Sequence, residues 1–265
     1  FVFWVLTLDR KSAPNCSLAL WLPTIWILLI ASKPLAVWFS YSVSEGEYGS
    51  PLDRNFLIIL MIIGILILFK RRFSFSKAIK DNIWLILLFF YMLFSVFWSN
   101  MIFTSFTRWV REMPALIMAF LLLTEKNPRD AMLSVLRRST YILIPFSVLL
   151  IKYYPYYGVA YGRWSGELMW IGVTMQKNGI GRLCLVAIFF LIWSIIRRRR
   201  ERNITNVKYQ TIAEIFLVVL SCYILRGPSI GAMSATGVMS LTIGLTAFFG
   251  LLWMHKIKLY PRAGT

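Results

Sequence analysis

Eight apolar runs, separated by short loops rich in lysine and arginine, limit what this chain can fold into more than any other feature. They cover 18–40, 55–69, 83–97, 109–123, 139–151, 180–196, 211–225 and 236–254. A water-soluble domain would need a polar shell to hide that many uninterrupted apolar stretches. With 58% of its 265 residues hydrophobic and 15% charged, the chain has too few polar residues to build one. A bilayer removes the need. About twenty helical residues cross its hydrocarbon core, and the shorter runs reach that length by drawing on their flanks. The sequence therefore predicts an all-α fold: a polytopic transmembrane helical bundle of about eight spans, forming a single transmembrane domain over 1–265. The 11 Trp, 12 Tyr and 20 Phe suit a protein whose rings settle at the membrane–water interface.

Orientation follows from the loops, because cytoplasmic loops collect Lys and Arg. With the N-terminus inside, the segments 1–17, 70–80, 124–138, 197–208 and 255–265 hold 20 of the 29 cations. The outer segments 41–54, 98–111, 152–182 and 226–235 hold eight, and Lys33 is the last. Both ends are thus expected in the cytoplasm, with Arg197 to Arg200 as a stop at the inner face. A net charge of +18 would suggest nucleic acid in a soluble protein. Here the inner loops account for it, and no nucleic-acid partner is expected. Cys16, Cys184 and Cys222 are far apart, no CxxC spacing occurs, and His255 has no ligand-spaced neighbour. No metal and no cofactor are expected.

Phe1–Leu8 is apolar but too short to span. It lacks an initiating Met, which suggests a left end that is trimmed or misread, and it lacks the basic start and cleavage site of a signal peptide.

The longest non-spanning segment is 152–182, and it carries Lys152, Arg163, Lys177 and Arg182. Topology does not require cations on the outer side, so these four need another explanation. In Gly162-Arg163-Trp164-Ser165-Gly166 the glycines let backbone approach a ligand, and arginine's planar fork matches phosphate oxygens in pairs. Snorkelling to lipid phosphates is the equal reading. In Gln176-Lys177-Asn178-Gly179-Ile180-Gly181-Arg182 a helix opens, and its first amides attract anions beside Lys177 and Arg182. The glycines there equally suit close helix packing.

Further along the same outer face, Arg108 and Arg111 lie three apart and share a helix side, as ligand contacts or, more simply, as interfacial anchors beside Trp109. Lys33-Pro34 interrupts the first run, where proline frees a carbonyl and the lysine needs a partner or must snorkel. Glu214, the one carboxylate well inside a run, is read first as structural and second as a proton site. Small residues from Gly227 to Gly237 permit close helix contact.

Several pieces in order resemble the O-antigen ligase and polysaccharide polymerase superfamily of bacterial inner-membrane proteins, nearest to its exopolysaccharide polymerase-like members. They are LWLPTIWILLIASKPLAVW (20–38), EGEYGSPLDRN (45–55), FSVFWSNMIFTSFTRWVRE (94–112), YGRWSGELMWIGVTMQKNGIGRLCLV (161–186) and SATGVMSLTIG (234–244). The resemblance implies a multi-pass protein of the bacterial inner membrane. It implies a metal-independent glycosyltransferase that moves a glycan from undecaprenyl diphosphate to a glycan acceptor, as polymerase or ligase. Arg163 is then the leading diphosphate contact, with Lys177, Arg182 and Arg108 behind it and Gly162, Gly166 and Asn178 supporting the loop. It further implies more spans and a histidine-bearing loop beyond Thr265, so the chain reads as an N-terminal portion, inactive alone. The rival is a transporter or flippase for a lipid-linked sugar or another anionic solute. That class would place charge deep in its spans, where only Lys33 and Glu214 come near.

Overall fold

The computed structural model describes residues 1–12, 16–39, 50–71, 80–162, 166–200, 207–229 and 233–256. It is an all-α fold carrying one small β-hairpin. The helices are α1 (Val2–Ser12), α2 (Trp21–Ala31), α3 (Leu35–Trp38), α4 (Pro51–Lys70), α5 (Ile83–Ser95) and α6 (Ile102–Leu123). After these come α7 (Pro128–Tyr153), α8 (Pro155–Gly158), strands β1 (Val159–Tyr161) and β2 (Leu168–Trp170), then α9 (Lys177–Arg200), α10 (Val207–Arg226) and α11 (Ala235–Lys256). Among the described residues, five stretches are long and apolar enough to cross a membrane: Pro51–Lys70, Pro128–Tyr153, Lys177–Arg198, Lys208–Arg226 and Ala235–Met254. Leu18–Ala31 and Ile83–Trp98 are apolar but shorter.

The run expected as one span over 18–40 is broken. Pro34 has no amide to donate and disfavours helix at the residue before it. As a result α2 stops at Ala31, and α3 restarts at Leu35 with its first amide donating to the Asp53 carboxylate at 2.7 Å. Lys33 is buried in the break, its Nζ 5.6 Å from the Trp38 ring centre. Elsewhere local signals set helix ends. Ser50 caps α4 by accepting from the Leu52 amide at 3.2 Å, Pro51 sits in the first turn and Lys70 in the last.

The chain forms two compact units, 13–139 and 1–12 with 140–265. The core of the first gathers Leu22, Leu60, Leu68, Met118 and Leu121 from α2, α4 and α6. Gly64 makes this fit possible, since a Cβ there would lie 2.6 Å from Ile117 Cγ2. At one end Arg71 donates to Glu125 at 2.6 Å, to Ser17 Oγ at 2.7 Å and to Thr124 Oγ1 at 2.8 Å, and Ser17 Oγ donates to Glu125. Burial alone would raise the Glu125 pKa. The hydrogen bonds from Ser17 and Arg71, with the guanidinium charge, outweigh it and hold the carboxyl below its usual range.

In the second unit α9 packs on α10 and α11, and α1 lies against α10 through Phe1–Phe216 and Trp4–Tyr209 edge contacts. Phe1–Leu8, too short to span, thus finds a helical partner. Gly181 of α9 meets the Ser234 hydroxyl, and the Gly237 Cβ position is 3.5 Å from Gly181 Cα. The expected close contact of small residues is made here, between α9 and the start of α11.

Deep in this unit, Arg198 donates to Glu214 at 2.6 Å, with the two side chains 4% and 0% exposed. Tyr141 and Ser194 also donate to Glu214, at 3.1 and 3.3 Å, and Arg198 reaches Thr211 at 3.2 Å. One carboxylate therefore joins α7, α9 and α10. Arg198 thus has a buried role, which a membrane-face stop would not give it.

Candidate functional site

The long loop opens where α7 ends at Tyr153. Tyr154-Pro155 starts the single turn of α8, which delivers the chain to β1. β1 and β2 pair antiparallel, Val159 with Trp170, Ala160 with Met169 and Tyr161 with Leu168. The hairpin narrows at its tip: the Gly162 amide donates to Glu167 O at 2.8 Å, and the Gly166 amide to Gly162 O at 2.9 Å. Gly166 has φ 65°, a left-handed conformation that glycine adopts without a Cβ penalty. Both supporting glycines are thus placed as the two sides of the tip. Arg163, with Trp164 and Ser165, lies outside the described residues.

The base of the hairpin is tied to α7 by backbone and by a buried serine. Gly158 O accepts from the amides of Ile171 and Gly172, each at 2.9 Å. A Cβ on Gly158 would run into the Leu150 backbone, so α8 can fold back onto α7 only with glycine there. Gly172 has φ 53° and a Cβ position 2.8 Å from Ser147 Cβ. Ser147, wholly buried, donates to Leu143 O at 2.7 Å and accepts from the Val173 amide at 3.4 Å. Trp170 packs on Tyr223 of α10 with ring centres 5.0 Å apart. Nothing in the sequence announced Ser147, since its partner is 26 residues away.

The loop then passes Thr174, whose buried hydroxyl lies 2.8 Å from Ile171 O and 2.9 Å from Gln176 O. Gln176 O accepts from the Gly179 and Ile180 amides at 2.9 and 3.3 Å, so α9 opens at Lys177. Lys177 is half-buried, and Asn178 and Arg182 are exposed. The sequence placed a helix start here, and the fold has one. Its first amides have no intrahelical acceptor and carry the positive end of the helix dipole. Lys177 and Arg182 share that end but not one face, since five residues turn a helix through about 140° beyond a full circle.

Arg108 belongs to the other unit. With Glu112, Ser95, Ser105, Val96 and Trp109 it lines a groove of about 260 Å³ between α5 and α6. Both Arg108 and Glu112 are exposed, and they form no ion pair with each other. Glu112, four residues after Arg108, was not singled out by sequence, although that spacing puts both on one side of a helix. Trp109 is locked in place by donating from Nε1 to Phe89 O at 3.1 Å.

At the opening of α9 the groups offered are Lys177, Arg182 and helix-end amides, which attract anions, while the groove between α5 and α6 sets the Glu112 carboxylate beside Arg108. No family model matches this chain, nor does any curated protein or any solved structure.

Proposed function

We propose that this protein handles a glycan carried on undecaprenyl diphosphate in the bacterial inner membrane. It supplies the donor-binding part of the polymerase or ligase that joins the glycan to an acceptor glycan in exopolysaccharide or O-antigen synthesis. On this reading it is a multi-pass protein of about eight spans with both ends in the cytoplasm, embedded among membrane lipids, and its long loop faces outward. The observation that carries the reading is the hairpin frame beside the opening of α9. Gly162 and Gly166 bracket Arg163 in sequence, and the same loop ends at Lys177 and Arg182.

In such a transfer an acceptor hydroxyl attacks the anomeric carbon while the bond from that carbon to the phosphate oxygen breaks. Negative charge grows on the departing diphosphate. A guanidinium, an ammonium and helix-end amides set at the diphosphate stabilise that charge more in the transition state than in the bound donor, which is the condition for lowering a barrier. Arg163 supplies the paired donors, Lys177 and Arg182 add charge, and Asn178 presents an amide at the helix mouth. Arg108 is the weakest of the four for a diphosphate, because the Glu112 carboxylate shares its groove and repels a second negative charge.

The test is Arg163→Ala, with Lys177→Ala beside it, in cells that make the polymer. Polymer yield should fall roughly a hundredfold for Arg163→Ala, as for loss of a transition-state donor, while lipid-linked donor accumulates. Undiminished polymer, or labelling of residue 163 from the cytosol, would end the proposal.

One observation favours the transporter reading instead: a helix broken at Pro34 with Lys33 buried in the break, 4% exposed. Interrupted helices line solute sites in transporters. If that reading holds, Lys33→Met stops movement of lipid-linked donor across the membrane and leaves none to accumulate outside.

A further inference from the structure

The groove between α5 and α6 offers two opposite charges side by side. Arg108 and Glu112 are exposed on one side of α6, about 6 Å apart at Cβ by helix geometry, and do not pair with each other. Ser95 and Ser105 line the same space. Ser95 donates to Met92 O at 2.7 Å, and Ser105 shares a hydrogen with Ser99 at 2.6 Å, so each keeps lone pairs to accept from a ligand. Trp109 forms a fixed wall, held by Phe89 O and stacked on Phe106 with ring centres 6.0 Å apart.

The groove as a whole is close to neutral, which does not suit a dianion or a simple cation. A ligand with a phosphate and an ammonium two carbons apart matches it at both ends. On the chain segments that supply the groove, Tyr91, Phe94, Phe97, Trp98 and Phe103 are each more than half exposed. Exposed rings in that number suit the acyl chains and interface of a membrane. We propose that this groove seats the head group of a phosphatidylethanolamine-class phospholipid, with its phosphate on Arg108 and its primary ammonium on Glu112, Ser95 and Ser105. The proposal rests on the groove's own residues and does not depend on the glycan reading.

The test uses the intact chain in mild detergent, offered equal amounts of phosphatidylethanolamine and phosphatidylglycerol with the same acyl chains, with retained lipid read by native mass spectrometry. The wild type should retain phosphatidylethanolamine in preference. Arg108→Gln should lower its retention roughly fivefold, the size of one part-exposed ion pair. Glu112→Gln should abolish the preference by admitting phosphatidylglycerol. Arg54→Gln, an exposed cation outside the groove, should change nothing, and all three variants should melt with the wild type. Soluble phosphoethanolamine at equal concentration should not displace the lipid. Equal retention of both lipids by the wild type, a wild-type pattern in either groove variant, or displacement by soluble phosphoethanolamine would overturn the proposal. A failed Arg163→Ala test leaves these outcomes untouched.

Discussion

Arg198 shows what a single residue can conceal in a run of like charges. Four arginines in a row read as a membrane-face stop, yet the second of them is 4% exposed and bonded to a carboxylate that is fully buried. The partner is 16 residues away on another helix, so no local pattern reveals it. Removing one member leaves the other charge stranded, whereas replacing both with apolar residues removes the desolvation cost as well. Arg198→Met should therefore destabilise the protein by about 3–5 kcal/mol, and Arg198→Met with Glu214→Leu should recover most of that. Thermal unfolding of the three proteins in detergent checks it. Asp53 was hidden in the same way: its role as the cap of α3 joins positions 18 residues apart, and neither end carries a mark.

At the scale of elements, what was legible is what is local. Apolar runs became helices because hydropathy and length are properties of a continuous stretch, and Lys177 opens a helix where charge and glycine spacing said one would start. The β-hairpin was not legible, because its strands are three residues each and the alternation is too brief to stand out. The break in the first run was marked by Lys33-Pro34, but the tie of its second helix to Asp53 was not. Ties between elements also set how the fold responds to acid. Glu125 joins Ser17, Arg71 and the end of α6, and its pKa is held below the ordinary 4.5. A depressed carboxylate contributes stability that is complete above its unfolded value and is lost as pH falls through its folded one. Melting temperature attributable to this tie should be flat from pH 7 to 5 and decline below about 4.5. Glu125→Gln should lower the plateau and remove that decline, as read by unfolding scans across pH.

Over the whole molecule, large apolar side chains face outward in number: Ile59, Ile62, Leu66, Met239, Ile243 and Leu251 are all among the exposed. Only 6% of Ala235–Met254 is buried, against 56% of the apolar window in Pro128–Tyr153. Water is a poor solvent for such surfaces and hydrocarbon a good one. Ile62, half exposed midway along Pro51–Lys70, tests this directly. Ile62→Arg should cost roughly 2.5–3.5 kcal/mol of membrane insertion, scored by a glycosylation-site insertion assay on that segment. Equal insertion of both would argue against a lipid-facing helix.

The seam between α9 and α11 has a mechanical corollary. At Gly181 a Cβ would run into Ser234, so α9 and the approach to α11 meet there with nothing larger than hydrogen on the glycine. A bulkier residue at 181 would act as a wedge, prising the mouth of α9, and the lysine at its lip, off the start of α11.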